Sequence, residues 1–224
     1  MRISVRNRRG QTRFAMVLAL LFVSSTAGAD LRIFGYPAQE HAANAKLFPK
    51  WEGVQSRTLA AGADGPPCTP VGNLDCQFQK LKAVVARASQ LPEDKRLEFV
   101  HKFVNRLTYI SDNELYGMSD YWATQFQFYG NTGGDCEDYS ITKFYALKLL
   151  GYDPERMRVV IVHDTNLNLD HAILVVERDG KHWVLDNNLD TVIDSARLYH
   201  LLPYFALNET HWWAFTGVPL PKRN

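Results

Sequence analysis

Cys136 stands after a glycine pair and among acids, in the stretch Gly133-Gly134-Asp135-Cys136-Glu137-Asp138-Tyr139. Asp170-His171 follows, then Leu185-Asp186-Asn187. A thiol, an imidazole and a carboxylate in that chain order can serve as nucleophile, base and orienting group in acyl transfer. The residues after the cysteine predict a helix over 137–150, closed by Gly151. A thiol at a helix N-terminus is acidified by the unpaired N–H groups there, and a neighbouring imidazolium acidifies it further. The glycine pair reads as a turn that lets backbone approach closely, and the Cys136 N–H is placed to meet an oxyanion. A buried structural cysteine is the plainer alternative, but three flanking acids make a poor apolar slot.

The chain has seven histidines. His171 begins an apolar run, 171–176, so it belongs at the rim of a sheet, where a helix N-terminus can meet it. His163 ends another run, and His182 and His211 lie on strand-like segments too, so spacing alone does not choose among them. Asp179-Gly180 is a two-residue hairpin signal. Counting outward from it, Asp186 lies opposite Ile173 or Leu174, a few residues from His171 on the paired strand, with register open by one residue. A carboxylate there would fix the imidazole tautomer. Asn187 could orient it as an amide, and Asp186-Asn187-Asn188 also reads as plain turn chemistry.

Helical periods cover 77–89 and the segment opened by Pro92, whose apolar face is Leu97, Val100, Phe103, Val104 and Leu107. Residues 109–132 read as a long, packed, aromatic loop with a short helical piece, a length that in a compact domain usually carries function. Gln125 and Gln127 in it are oxyanion-hole candidates. Trp122, Trp212 and Trp213 read as packing residues more than as a partner surface. Strand-like runs occupy 158–163, 172–177, 182–186 and 211–215, and residues 30–75 read as an irregular lead-in. Helices followed by an antiparallel sheet make an α+β domain.

Arg2, Arg6, Arg8, Arg9 and Arg13 precede an apolar run at 14–23, and Ala27-Gly28-Ala29 suits signal cleavage. Residues 1–29 are expected to be a cleaved secretory signal, and 30–224 a single domain. Loss of five arginines and no acids moves the formal charge from +1 to −4. Nucleic-acid binding, which needs clustered basic charge, is not expected. Cys68 and Cys76 can form a disulfide in an oxidising compartment, leaving Cys136 as the odd, reactive thiol. No C-x-x-C pair is present, which argues against structural zinc.

Gly134-Asp135-Cys136-Glu137-Asp138-Tyr139, Asp170-His171-Ala172-Ile173-Leu174 and Val184-Leu185-Asp186-Asn187 together resemble the bacterial transglutaminase-like cysteine proteinases. Within these they resemble the LapG-type periplasmic proteases, and 105–109, 115–117 and 120–123 match as well. The resemblance runs from Phe78 to Phe215. It implies a papain/transglutaminase-like core with an N-terminal helical region. Cys136 is then the nucleophile at a helix N-terminus packed on the sheet, His171 the base and Asp186 the orienting group. Acids beside a thiolate oppose its formation, and the resemblance implies that Asp135, Glu137 and Asp138 hold Ca²⁺ there. Asp170 or carbonyls of 164–170 would complete the shell. An acidic N-cap and first turn need no metal, however. The resemblance further implies a periplasmic endopeptidase that cuts a large surface adhesin near its N-terminus at an alanine pair and releases biofilm cells. It implies an inner-membrane cyclic di-GMP receptor that sequesters the protease. A transglutaminase-like acyltransferase would use the same three residues with an amine acceptor. A non-enzymatic transglutaminase-like binding module would usually have lost the nucleophile or base, and neither is lost here.

Overall fold

The computed structural model describes residues 31–62, 65 and 74–221. The expected signal segment, Cys68 and the Cys76 side chain lie outside the described residues, and with them the Cys68–Cys76 pairing. Among the described residues no helix is long and apolar enough to cross a membrane.

The chain runs β1 (Arg32–Ile33), β2 (Tyr36–Ala42), α1 (Pro49–Ala61), α2 (Leu74–Ser89) and α3 (Glu93–Val104). It continues through β3 (Thr108–Tyr109), α4 (Asp112–Tyr116), α5 (Gln125–Gly130), β4 (Gly133–Gly134) and α6 (Cys136–Leu149). It ends with β5 (Met157–Asp164), β6 (Leu169–Arg178), β7 (Lys181–Leu185), β8 (Ile193–Asp194), β9 (Leu201–Leu207) and β10 (His211–Phe215). Eight strands form one antiparallel sheet in the order β1-β2-β10-β9-β5-β6-β7-β8. β3 and β4 form a separate parallel pair. This is the expected α+β class, with Cys136 opening a helix packed on the antiparallel sheet.

Alternation along the strands gives the sheet two apolar faces. Val159, Leu174, Leu185 and Leu207 face the helices and pack with Trp51, Leu81, Val100, Phe128, Phe144 and Leu147. Val160, Val162, Ile173, Val175, Val184 and Trp213 face the other way and pack with Ile33, Phe34 and Leu198. Helix α6 lies at the centre, with every residue from Glu137 to Leu147 buried. It packs on α3, α5, β5 and β6. A helix buried on all sides is normally apolar all round. This one also buries Glu137, Asp138, Ser140, Thr142 and Lys143, so its polar groups need partners or a use.

Several sequence expectations change. Residues 31–62 of the expected irregular lead-in are ordered into elements: β1 and β2 join the sheet through β10, and α1 adds Trp51 and Val54 to the helix-side core. The run 201–207, which contains Pro203, is a strand between β5 and β10. Its register shifts where Ile161 pairs Phe205 and Val162 pairs Pro203, an irregularity of the kind that accommodates proline inside a sheet. Gly133-Gly134 is a strand rather than a turn, paired with Thr108-Tyr109. The region 109–132 holds two short helices, α4 and α5, where one helical piece was expected.

Candidate active site and acidic cluster

Cys136 is the first residue of α6, and Asp135 is its N-cap. The Ser140 hydroxyl donates to the carbonyls of Cys136 at 3.0 Å and Ala172 at 3.1 Å, fastening the first turn of α6 to β6. His171 is the residue before Ala172 on β6. Cys136 and His171 line one cleft of about 520 Å³. His171 is buried, and its Nε2 donates to Asp186 Oδ1 at 2.7 Å. The register pairs Leu174 with Leu185, so Asp186 follows opposite Ile173, one of the two expected partners. Burial raises the Asp186 carboxyl, but the hydrogen bond and charge of His171 outweigh it, and the group stays below its ordinary value. With Nε2 committed to Asp186, Nδ1 is the ring nitrogen left for the cleft.

The other histidines do other things. His163 Nδ1 bonds Asp170 Oδ1 at 3.1 Å. His211 pairs with Glu155, and His182 is half-buried on β7. Asn187 bonds Asn188 at 3.3 Å, and His171 is oriented by Asp186 instead. Gln125 accepts from Thr58, and Gln127 closes the capping box of α5. Neither glutamine lines the cleft, so neither is placed as an oxyanion donor. Trp213 is buried against Arg158, Trp212 stacks on His41, and Trp122 forms part of the cleft wall.

The thiol is not acidified as a helix N-terminus alone would suggest. Burial comes first and the Glu137 carboxylate second in pushing it up, against a hydrogen bond from the Ala172 backbone. The thiol donates to Glu137 Oε2 at 3.1 Å. Around it the acids are themselves desolvated: burial pushes Asp135 and Asp138 up to about 8 and Glu137 to about 7. Asp135 makes no side-chain cap bond to its own helix, which removes the simplest reason for an acid there. Asp138 Oδ1 accepts from the Ala123 N–H at 2.7 Å, while its Oδ2 is buried without a partner. Asp112 Oδ1 and Asp135 Oδ1 are buried without partners as well.

One carboxylate oxygen from each of Asp112, Asp135 and Asp138 falls within 4.8 Å of the others, and Asp112, Asp120 and Glu137 form a second such group. Asp112 belongs to both and was not singled out in the sequence, where it is one acid in an aromatic loop. Its Oδ2 accepts from the Tyr121 N–H, tying the loop to the cluster. Asp170 stands apart, held by His163 and the Tyr204 hydroxyl. An all-carboxylate donor set with orphaned oxygens suits a hard divalent cation such as Ca²⁺. Gly134 makes room for this: a Cβ there would lie 2.2 Å from Asp138 Oδ2. At Gly133 a Cβ would lie 1.9 Å from the Thr108 carbonyl oxygen, so both glycines are required by close approach.

Comparison with known proteins bears on the fold and the family. A search of curated protein sequences returns no match. Among solved structures, Legionella pneumophila LapG is similar, with 23% identity over 74% of this chain and 86% of that one and a TM-score of 0.57. Its calcium-bound form gives the same values. Its EGTA-treated form matches with the same identity and TM-score over 83% of that chain. At this identity the likeness establishes the fold. The sequence profile of the bacterial transglutaminase-like cysteine proteinases (BTLCP) matches residues 69–216, about two thirds of the chain. The chain therefore belongs to the bacterial transglutaminase-like cysteine proteinase family.

Proposed function

We propose that this protein is a periplasmic, calcium-dependent cysteine endopeptidase that cleaves the N-terminal region of a large surface adhesin and so releases biofilm cells. In this reading an inner-membrane cyclic di-GMP receptor holds it in check. The observation that carries the catalytic part is the buried His171–Asp186 hydrogen bond, with His171 and Cys136 lining one cleft in a chain from this family. The orphaned oxygens of Asp112, Asp135 and Asp138, together with the calcium-bound LapG relative, support the metal part.

The chemistry follows from the atoms. His171 Nδ1 takes the Cys136 proton, and the thiolate attacks the scissile carbonyl carbon. The resulting imidazolium is stabilised by Asp186 and returns the proton to the leaving amine. Water, activated by His171, then hydrolyses the thioester and frees the thiol. Asp112, Asp135, Glu137 and Asp138 would hold the cation. When bound, its charge offsets the carboxylates that oppose the thiolate.

The test is incubation of the mature protein with the N-terminal region of the large adhesin of the same organism. Cleavage is expected with Ca²⁺, lost in EGTA and restored by added Ca²⁺. Cys136→Ala should fold and not cleave. Full activity in chelator would remove the metal from the reading, and wild-type cleavage by Cys136→Ala would remove the nucleophile.

A further inference from the structure

Behind Asp186 lies a group of buried polar side chains that the reaction does not use. Asp186 sits just past the end of β7, in a turn closed by Leu189 N–H to Asp186 O at 3.2 Å and Asn188 N–H to Asp186 Oδ1 at 2.8 Å. Nothing in that short turn itself fixes its position against the helices. Three side chains from outside do so. Lys143 Nζ, from the middle of α6, donates to the Leu185 carbonyl at 3.2 Å. Asn105 Nδ2, at the C-cap of α3, donates to the carbonyls of Asp186 at 3.3 Å and Leu189 at 3.1 Å. His101 Nε2, one turn earlier on α3, donates to the Leu189 carbonyl at 2.8 Å. Every backbone acceptor from Leu185 to Leu189 named here thus receives a bond from the helical layer.

Lys143 is the unexpected member. Its side chain is fully buried, and among the described residues no carboxylate lies within ion-pair distance. Among the described residues, Asp186 is the acid whose charge reaches it. An apolar side chain of similar length would pack in the same space without desolvating an ammonium group. The same helix carries Cys136 at its N-terminus. One rigid element therefore presents the thiol on one side of His171 and grips the carboxylate turn on the other.

We propose that Lys143, together with Asn105, is a positioning residue for the reaction: it clamps the Leu185–Leu189 turn so that Asp186 holds His171 in the single tautomer and orientation that aim Nδ1 at Cys136. The proposal rests on reading Cys136, His171 and Asp186 as the catalytic set. A tautomer fixed by a neighbouring carboxylate is lost when that carboxylate drifts, and displacements of about 1 Å cost on the order of a hundredfold in reactivity.

The test uses the mature, calcium-loaded protein labelled with ¹⁵N at histidine, with His171→Gln to assign the His171 ring signals. Wild type should give one Nε2-protonated tautomer at His171. Lys143→Met and Asn105→Ala should each melt cooperatively yet shift the His171 nitrogens toward averaged values. Iodoacetamide should alkylate Cys136 about 10–100-fold more slowly in both. A folded Lys143→Met with wild-type ¹⁵N shifts and alkylation rate overturns the proposal. If Lys143→Met does not fold, Asn105→Ala decides in the same way, because it loosens the turn from the half-buried side. Cleavage by Cys136→Ala would overturn the catalytic reading itself, an outcome distinct from unchanged His171 signals in the clamp variants.

Discussion

Lys143→Met should make the protein more stable while making it a worse enzyme. Burial lowers the Lys143 ammonium from 10.5 to about 7, and the Asp186 charge opposes this only in part. In the unfolded chain the same group titrates near 10.5, so between pH 7 and 10.5 the unfolded state holds a proton that the folded state has released. Stability from this group therefore rises as pH climbs through that window, and the cost is fully present below pH 7. The difference corresponds to roughly 5 kcal/mol. Against it stands one charge-assisted hydrogen bond to the Leu185 carbonyl, worth about 1.5–3 kcal/mol. The methionine variant should then be more stable than wild type by about 2–3 kcal/mol at pH 6, and about equal or slightly less stable near pH 10. Three groups near Lys143 keep their charge across the window. Burial lowers His101 to about 4, Asp186 lies below its ordinary value, and burial pushes Tyr139 up to about 12. Urea denaturation at fixed pH, with the slope checked for equality, reads the difference directly. The two stability curves should approach and cross as pH rises from 6 to 10. A variant less stable than wild type by a constant amount at every pH would show that Lys143 acts as half of a net-favourable ion pair with Asp186, and the desolvation argument would fail.

Asp112→Asn should weaken Ca²⁺ binding by about tenfold or more in calorimetry, because it removes a charge from an all-carboxylate donor set. An unchanged affinity would place the ion without Asp112. Gly134→Ala should displace the Asp138 carboxylate, which a Cβ would meet at 2.2 Å, and cost Ca²⁺ affinity about 10–100-fold with little loss of melting temperature. Gly133→Ala should act on stability instead, by about 1–3 kcal/mol, since its Cβ meets the Thr108 backbone carbonyl and not a movable side chain. Equal effects of the two alanines on both readouts would contradict this division.

What could be read in the sequence followed local pattern. The strand at 211–215 and the helices α3 and α6 announce themselves by period, by Pro92 and by Gly151, and the Asp179-Gly180 hairpin placed Asp186 against its partner strand. Elements made by long-range pairing left no such mark. β2 carries Pro37 and a mostly polar run, and it is a strand because β10 pairs with it. β9 hides behind Pro203, whose missing donor is absorbed at the register shift opposite Ile161 and Val162. α1 contains Gly53 and buries only Trp51 and Val54, too few apolar positions to show a face. At the site, the acids on either side of Cys136 were visible because they are neighbours in sequence. Asp112 was not, because its claim to the cluster rests on burial and on unpartnered oxygens that only the folded chain reveals.

All the buried polar residues of α6 but Thr142, whose hydroxyl has no partner, share one physical rationale. A helix at the centre of a two-layer core would fold most stably with apolar side chains throughout, yet from its first turn to its middle this one carries Cys136, Glu137, Asp138, Ser140 and Lys143. Each except the thiol costs desolvation, and each points toward a feature of the cleft. Glu137 and Asp138 face the acidic cluster, Ser140 ties the helix to β6, and Lys143 reaches the turn behind His171. Because α6 is packed on every side, its axis cannot shift to relieve those costs, and side chains set on it keep their spacing to better than a loop would allow. Stability surrendered along one buried helix is thereby converted into fixed geometry among Cys136, His171 and Asp186. That is why the same substitution that raises the melting point should slow the thiol.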